Sequence, residues 1–275
     1  MARLDVQSAG ASVQGETISL DWRQAGVALV TFVRPAERNA LSLAMIDELG
    51  QALAIAHKAR AVALILTGSG PAFCAGADLK MLGPESEFFN SPAAFCDKFL
   101  APLARLFNSF EKMPFPIIAA VNGFALGGGC EMALSADFRI LAKTAVLGMP
   151  EVHLGAIPGA GGVQKLIRHV GRSKALEWIL LGSRIGADEA ERRGLVYEIA
   201  EPEALLDRAQ ALAEKLVAAG PLALAQAKAC IYVAEDADLS TATNHGVEAL
   251  TSLAETPEWR EGISAFVEKR RPRFR

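Results

Sequence analysis

A chain of 275 residues, 51% of them apolar, can bury a substantial core, as one large domain or as a domain with a helical appendage. The formal net charge of -3, with both signs spread along the chain, leaves no basic footprint of the kind a nucleic-acid binder needs. Cys74, Cys96, Cys130 and Cys230 lie far apart and form no C-x-x-C pair, which argues against a zinc knuckle or a disulfide scaffold and fits a reducing, cytoplasmic compartment.

In chain order, residues 1–14 read as a loose tail without a secretory signal. Residues 27–32 and 62–66 are short β-branched and aliphatic runs. Between them, residues 42–57 carry Leu43, Ile46, Leu49, Leu53 and Ala56 at helical spacing, so this is a strand, helix, strand unit. Residues 113–130 carry no charge and approach the length of a membrane span, but Pro114, Pro116, Asn122 and four glycines break them into a buried strand (117–121), a turn and a helix start. A short helical stretch (131–135), a strand over 138–141 and another over 196–199 follow. Strands recurring with helices between them predict parallel crossovers and an α/β core over residues 15–200. Residues 201–275 are helix-like throughout, with breaks at Gly220-Pro221, 236–238 and Thr256-Pro257; their Ala/Leu-rich faces must pack on the core or on another subunit.

Three stretches are candidates for carrying chemistry. Asn122-Gly123, followed by Gly127-Gly128-Gly129-Cys130-Glu131, places three glycines before a helix. Adjacent glycines cost backbone entropy and mark close approach of another group, and a helix start offers bare N–H groups, so an anion or oxyanion site is expected. Glu131 is then either a carboxylate favoured by its own helix dipole or a catalytic group. The stretch 72–80, with Ala75-Gly76-Ala77-Asp78-Leu79-Lys80, follows a strand and a turn, where open α/β folds place ligands; a tight packed turn explains its small residues equally well. Cys74 has no histidine near it in sequence and reads as a buried filler. The third stretch, 148–162, is dense in Pro and Gly and is either a surface loop or a rigid platform before a helix. It holds Glu151, open to a solvated or a catalytic reading, and His153, read as a packing residue. His57, His153, His169 and His245 show no metal-ligand spacing. No phosphate-binding P-loop, dinucleotide fingerprint or G-x-S-x-G elbow occurs.

In this order and at these separations, the three stretches resemble the enoyl-CoA hydratase/isomerase (crotonase) family. Pro35 with Asn39-Ala40-Leu41 and the ending Glu261-Gly262, Phe266 to Arg270 are similar too, so the resemblance runs from about Val27 to the C-terminus. It implies a crotonase-like (ClpP/crotonase) α/β spiral of repeated ββα units, with a C-terminal helical region that builds a trimer or a dimer of trimers. By position, the N–H groups of Ala77 and Gly128 would form the oxyanion hole, and Glu131 and Glu151 would be catalytic. Ala75, Ala77, Asp78, Leu79, Lys80, Gly128, Arg38 and Ala40 would bind the coenzyme A part of the substrate, with Phe266 and Lys269 reaching a neighbouring subunit's site. The implied reaction is hydration of a 2-enoyl-CoA, with no metal, no redox cofactor, no nucleic acid and no membrane. Enoyl-CoA isomerases, acyl-CoA lyases and hydrolases share the fold, as would a binding protein that had lost turnover. Two departures stand out: Met149 where many hydratases have Gln, and His153 where an aliphatic residue is common. The loop over 82–92 is expected to shape the acyl pocket.

Overall fold

The protein is described here over residues 12–274 by a computed structural model. Among these residues, eleven strands form two sheets. In chain order they are β1 (Val13–Gln14), β2 (Ile18–Arg23), β3 (Val27–Phe32), β4 (Ala63–Gly68), β5 (Ala72–Cys74), β6 (Ile117–Val121), β7 (Phe124–Leu126), β8 (Phe138–Ala142), β9 (Val146–Gly148), β10 (Arg184–Gly186) and β11 (Glu198–Ala200). The helices are α1 (Leu43–Lys58), α2 (Glu87–Asn90), α3 (Pro92–Phe95), α4 (Ala101–Lys112), α5 (Gly128–Ser135), α6 (Gly162–Leu180), α7 (Ala187–Arg192), α8 (Leu205–Val217), α9 (Pro221–Asp236), α10 (Leu239–Ala254) and α11 (Pro257–Val267).

The large sheet has the order β1-β2-β3-β4-β6-β8-β11 and the small one β10-β9-β7-β5. Each of β4, β6 and β8 lies in the large sheet and passes directly into its successor, β5, β7 or β9, in the small sheet; helix leads from β5 back to β6 and from β7 back to β8, whereas α6 leads from β9 to β10 of the small sheet before α7 returns the chain to β11. These are the repeated ββα units of a crotonase-type α/β spiral. The pairs β3–β4, β4–β6, β6–β8 and β8–β11 are parallel, as are β5–β7 and β7–β9. Central strands of a parallel sheet are covered on both faces. The unbroken apolar runs of β4 and β6 follow, with Leu64, Leu66, Ile117, Ile118 and Val121 fully buried.

Local sequence explains the flanking helices. Ser42 caps α1, its side chain accepting from the Met45 N–H, and Met45, Leu49, Ala52, Leu53 and Ala56 bury one face at helical spacing. From that face Glu48 receives the N–H groups of Glu16, Thr17 and Ile18, which ties β2 to the helix. α8 packs on β4, β6 and β8. α9 is anchored by Lys228, whose Nζ donates to the Phe110 and Phe115 carbonyls and to Asp137 Oδ2 (2.7 Å). α10 and α11 extend outward and leave Leu239, Phe266 and Val267 largely exposed.

Several expectations need adjustment. Of the tail over 1–14, residues 1–11 lie outside the described residues, but Val13–Gln14 form an edge strand on β2, with Val13 buried. Residues 87–90 within the expected 82–92 loop form a helical turn capped by Ser86. The last strand is Glu198–Ala200, shifted from 196–199. The short strands of the small sheet escaped sequence reading, because three residues are too few to show a period. Among the described residues, no single helix is long and apolar enough to cross a membrane.

Candidate active site

The small sheet sets the site. Residue 77 follows the end of β5, Gly128 follows the end of β7, and Glu151 follows the end of β9; β5, β7 and β9 are parallel neighbours in that order. Three chain segments distant in sequence therefore leave one sheet edge side by side, at the carboxyl ends where α/β folds gather ligands.

The first segment is held in a frame built by residues 34–41. The Leu41 N–H donates to the Gly76 carbonyl (2.8 Å) and the Asp78 N–H to the Leu41 carbonyl (3.0 Å), a parallel bridge between Leu41 and Ala77. In such a bridge the partner residue's own N–H faces the other way. Ala77 thus turns its amide away from Leu41. The Ala75 N–H donates to the Arg38 carbonyl, Arg34 donates to the Ala40 carbonyl and to Asp78, and buried Asn39 donates to the Ser69 and Ala72 carbonyls. Ala75, Asp78, Arg38 and Ala40 are accordingly one cluster. Leu79 and Lys80 are exposed beside it, the Lys80 N–H donating to Asp78 Oδ1.

The second segment opens α5. Gly127 adopts φ +53° and Gly76 φ +95°, conformations that L side chains rarely take. A Cβ at Gly76 would stand 2.8 Å from the Leu126 carbonyl and 3.5 Å from the Gly128 nitrogen. The two backbones touch, which side chains would prevent. Gly128 is the first residue of α5, so its N–H is one of the helix's unpaired donors. Among the described residues neither the Ala77 nor the Gly128 N–H has a protein acceptor.

Two carboxyl groups close on this point. Glu131 is 3% exposed. Although it lies in the first turn of α5, its carboxylate is held instead by the turn that leads into α6: Oε1 accepts the N–H groups of Ala160 and Gly162, both at 2.8 Å. Its Oε2 remains free, 4.0 Å from where a Cβ at Gly128 would stand. Burial raises its pKa, opposed by those two N–H bonds. Glu151 opens a 3-10 turn after β9. Its Oε1 lies 3.1 Å from where a Cβ at Gly127 would stand, and its Oε2 is buried without a hydrogen-bond partner. Burial, with the nearby Glu131 charge adding to it, pushes Glu151 up to about 7.

The structure brings Glu131, Glu151, Gly128 and the Gly76-Ala77 peptide together. It does not bring in Phe266 or Lys269: both are exposed at the end of α11, and no hydrogen bond or ion pair among the described residues joins them to the site. Burial pushes the Cys74 thiol up to about 12, as suits a filler, and His153 packs against Gly182. Sequence reasoning missed the Ala160 and Gly162 donors, although the Pro/Gly density before α6 was their signal; it also missed the Arg34–Asp78 pair. Met149 is buried beside this anchor, its Cε 2.9 Å from where a Cβ at Gly162 would stand. Among the described residues no group of three or more His, Cys, Asp and Glu side chains is arranged to hold a metal.

The family model for enoyl-CoA hydratases and isomerases matches residues 22–275. The chain belongs to the enoyl-CoA hydratase/isomerase family. Among relatives of this family member, 2,3-dehydroadipyl-CoA hydratase of Escherichia coli is 39% identical, over 92% of this chain and 96% of the relative. The mitochondrial enoyl-CoA hydratase of Pongo abelii is also 39% identical, over 90% of this chain and 83% of its own. The crystal structure of an enoyl-CoA hydratase from Bacillus anthracis superposes with a TM-score of 0.88 at 39% identity, covering 94% of this chain and 99% of that one.

Proposed function

We infer that this chain is an enoyl-CoA hydratase, which adds water syn across the double bond of a 2-enoyl-CoA to give a 3-hydroxyacyl-CoA. The carrying observation is the convergence of two carboxyl groups, unlike in environment, on a pair of unpaired backbone amides. The thioester oxygen takes the Ala77 and Gly128 N–H groups. As charge moves onto that oxygen, each such fixed donor contributes roughly 3 kcal/mol. Glu131, with Oε1 immobilised, uses Oε2 to accept a proton from water as the water oxygen bonds to the β-carbon. Glu151, raised to about 7, is partly protonated near neutrality and gives its proton to the α-carbon. The reaction leaves Glu131 with one proton more and Glu151 with one fewer, and a proton transfer between them, direct or through water, restores the start. No electrons change hands, so the chemistry calls for no redox cofactor, and coenzyme A enters as part of the substrate.

The exposed Lys80 and Arg38 suit the coenzyme's phosphates, and the Ala75–Leu79 backbone its amide-bearing arm. Phe266, near the end of α11, and Lys269, just beyond it, are offered to a neighbouring subunit's site in a homotrimer or dimer of trimers. The exposed apolar side chains of α10 and α11 support that reading, and the four free cysteines suit a reducing, cytoplasmic setting.

The test is a panel of enoyl-CoA esters followed by loss of the conjugated thioester absorbance. Hydration of 2-enoyl esters is expected. Reaction of 3-enoyl esters alone, giving 2-enoyl products, would replace this reading by an isomerase.

A further inference from the structure

Glu131 is placed by a neighbouring element, and that element is itself held from behind. Because Oε1 is fixed by the Ala160 and Gly162 N–H groups, the carboxylate stands wherever the turn 158–162 stands. Lys165 sits in the first turn of α6, its N–H donating to the Gly161 carbonyl (3.0 Å). Its stem runs back along the turn, with Cε 3.4 Å from where a Cβ at Gly161 would stand, and its ammonium ends on the Glu111 carboxylate near the end of α4. Lys165 is 9% exposed. The same face of the turn meets Leu100, just before α4, and Asn108 within it.

Electrostatics argue against a cation at this position. The first turn of a helix is already positive, and burying an ammonium is penalised. A well-packed apolar side chain would usually serve stability as well or better. What the lysine adds is a directed link between the turn and α4.

We propose that Lys165, through its ion pair with Glu111, is a positioning residue for Glu131: it fixes the turn 158–162 against α4 and thereby aims the two N–H groups that hold the carboxylate. The proposal rests on the hydratase reading of Glu131 and extends it to a pair outside the reacting centre. A displacement of the carboxylate by an ångström is enough to cost on the order of 100-fold in rate, so a partly relaxed turn costs about tenfold or more.

The experiment is steady-state hydration of crotonyl-CoA by the full chain, scaled to folded protein by circular dichroism, for Lys165→Met, Lys165→Arg and Glu111→Gln, each also placed in a Glu131→Gln background. In the otherwise wild-type chain, Lys165→Met and Glu111→Gln are expected to lower kcat about tenfold or more while KM for the ester stays within about twofold; Lys165→Arg restores most of the rate. In the Glu131→Gln background the same changes cost less than about twofold, because the group they position is already gone. A folded Lys165→Met with wild-type kcat, or an equal loss in both backgrounds, overturns the proposal. Should Lys165→Met fail to fold, Glu111→Gln in the two backgrounds carries the same comparison. A wild-type chain that does not hydrate crotonyl-CoA or any longer 2-enoyl ester sinks the hydratase reading instead, which separates the two failures.

Discussion

Glu131 and Glu151 face the same pair of peptides from regions built in different ways. Glu131 lies on a helix, almost wholly buried, with one oxygen fixed by two amides of the turn that opens the next helix. Glu151 lies in a 3-10 turn beyond a three-residue strand, half-buried, with one buried oxygen that nothing partners. Amides that point at a carboxylate favour its charged form, whereas burial without partners favours the neutral form. Burial raises both carboxyls; at Glu131 the Ala160 and Gly162 amides oppose that rise, and at Glu151 the nearby Glu131 charge adds to it.

The largest effect expected from breaking this contrast is Glu131→Gln. The Gln carbonyl keeps the Ala160 and Gly162 bonds, but the group in the place of Oε2 can no longer take a proton, so kcat should fall about 1,000-fold or more. Glu151→Gln should fall less, about 100-fold, because the half-exposed position lets solvent protons substitute. Equal losses, or full activity in either variant, would show that the assigned roles are wrong.

The next prediction concerns pH. With Glu151 as the proton donor, kcat declines as pH rises through about 7, and this limb vanishes in Glu151→Gln. The same shift has a stability sign: a carboxyl raised above its ordinary value supports the fold fully below that value and loses the contribution as pH climbs through about 7. Wild type should therefore lose more melting temperature than Glu151→Gln between about pH 5 and pH 8, measured by differential scanning calorimetry. Parallel pH curves for the two chains would contradict the burial of an unpartnered oxygen.

The smallest effect is Met149→Gln. The two side chains are similar in length, and the amide would bring a donor among the two acids. A donor favours the charged carboxylate, so the limb near 7 should move down by less than about one unit while kcat changes less than about fivefold. An unmoved limb would place Met149 outside the electrostatic reach of Glu151.

What was legible in the sequence was whatever local physics writes into a few consecutive residues. The β4 and β6 runs, the apolar stripe of α1, and the C-terminal helices with their Gly-Pro and Thr-Pro breaks could all be read within a residue or two. The glycines at 127–129 announced a close approach, and Gly127 indeed takes a left-handed φ while a Cβ at Gly129 would overlap the Cys74 carbonyl. The small sheet was not legible, since β5, β7, β9 and β10 are three residues each and their pairing is with distant chain.

By itself, then, the sequence marked residues 72–80, 122–131 and 148–162 as candidate stretches, and it was the family resemblance that favoured chemistry there over a packed turn, a dipole-favoured carboxylate or a surface loop. Only the tertiary structure decided that these segments leave neighbouring strands of one sheet and that Glu131 leans on the turn that opens α6 rather than on its own helix. It also decided that one oxygen of Glu151 would be left without a partner. Contacts between segments tens of residues apart depend on parallel pairing and crossover geometry, which no local pattern encodes.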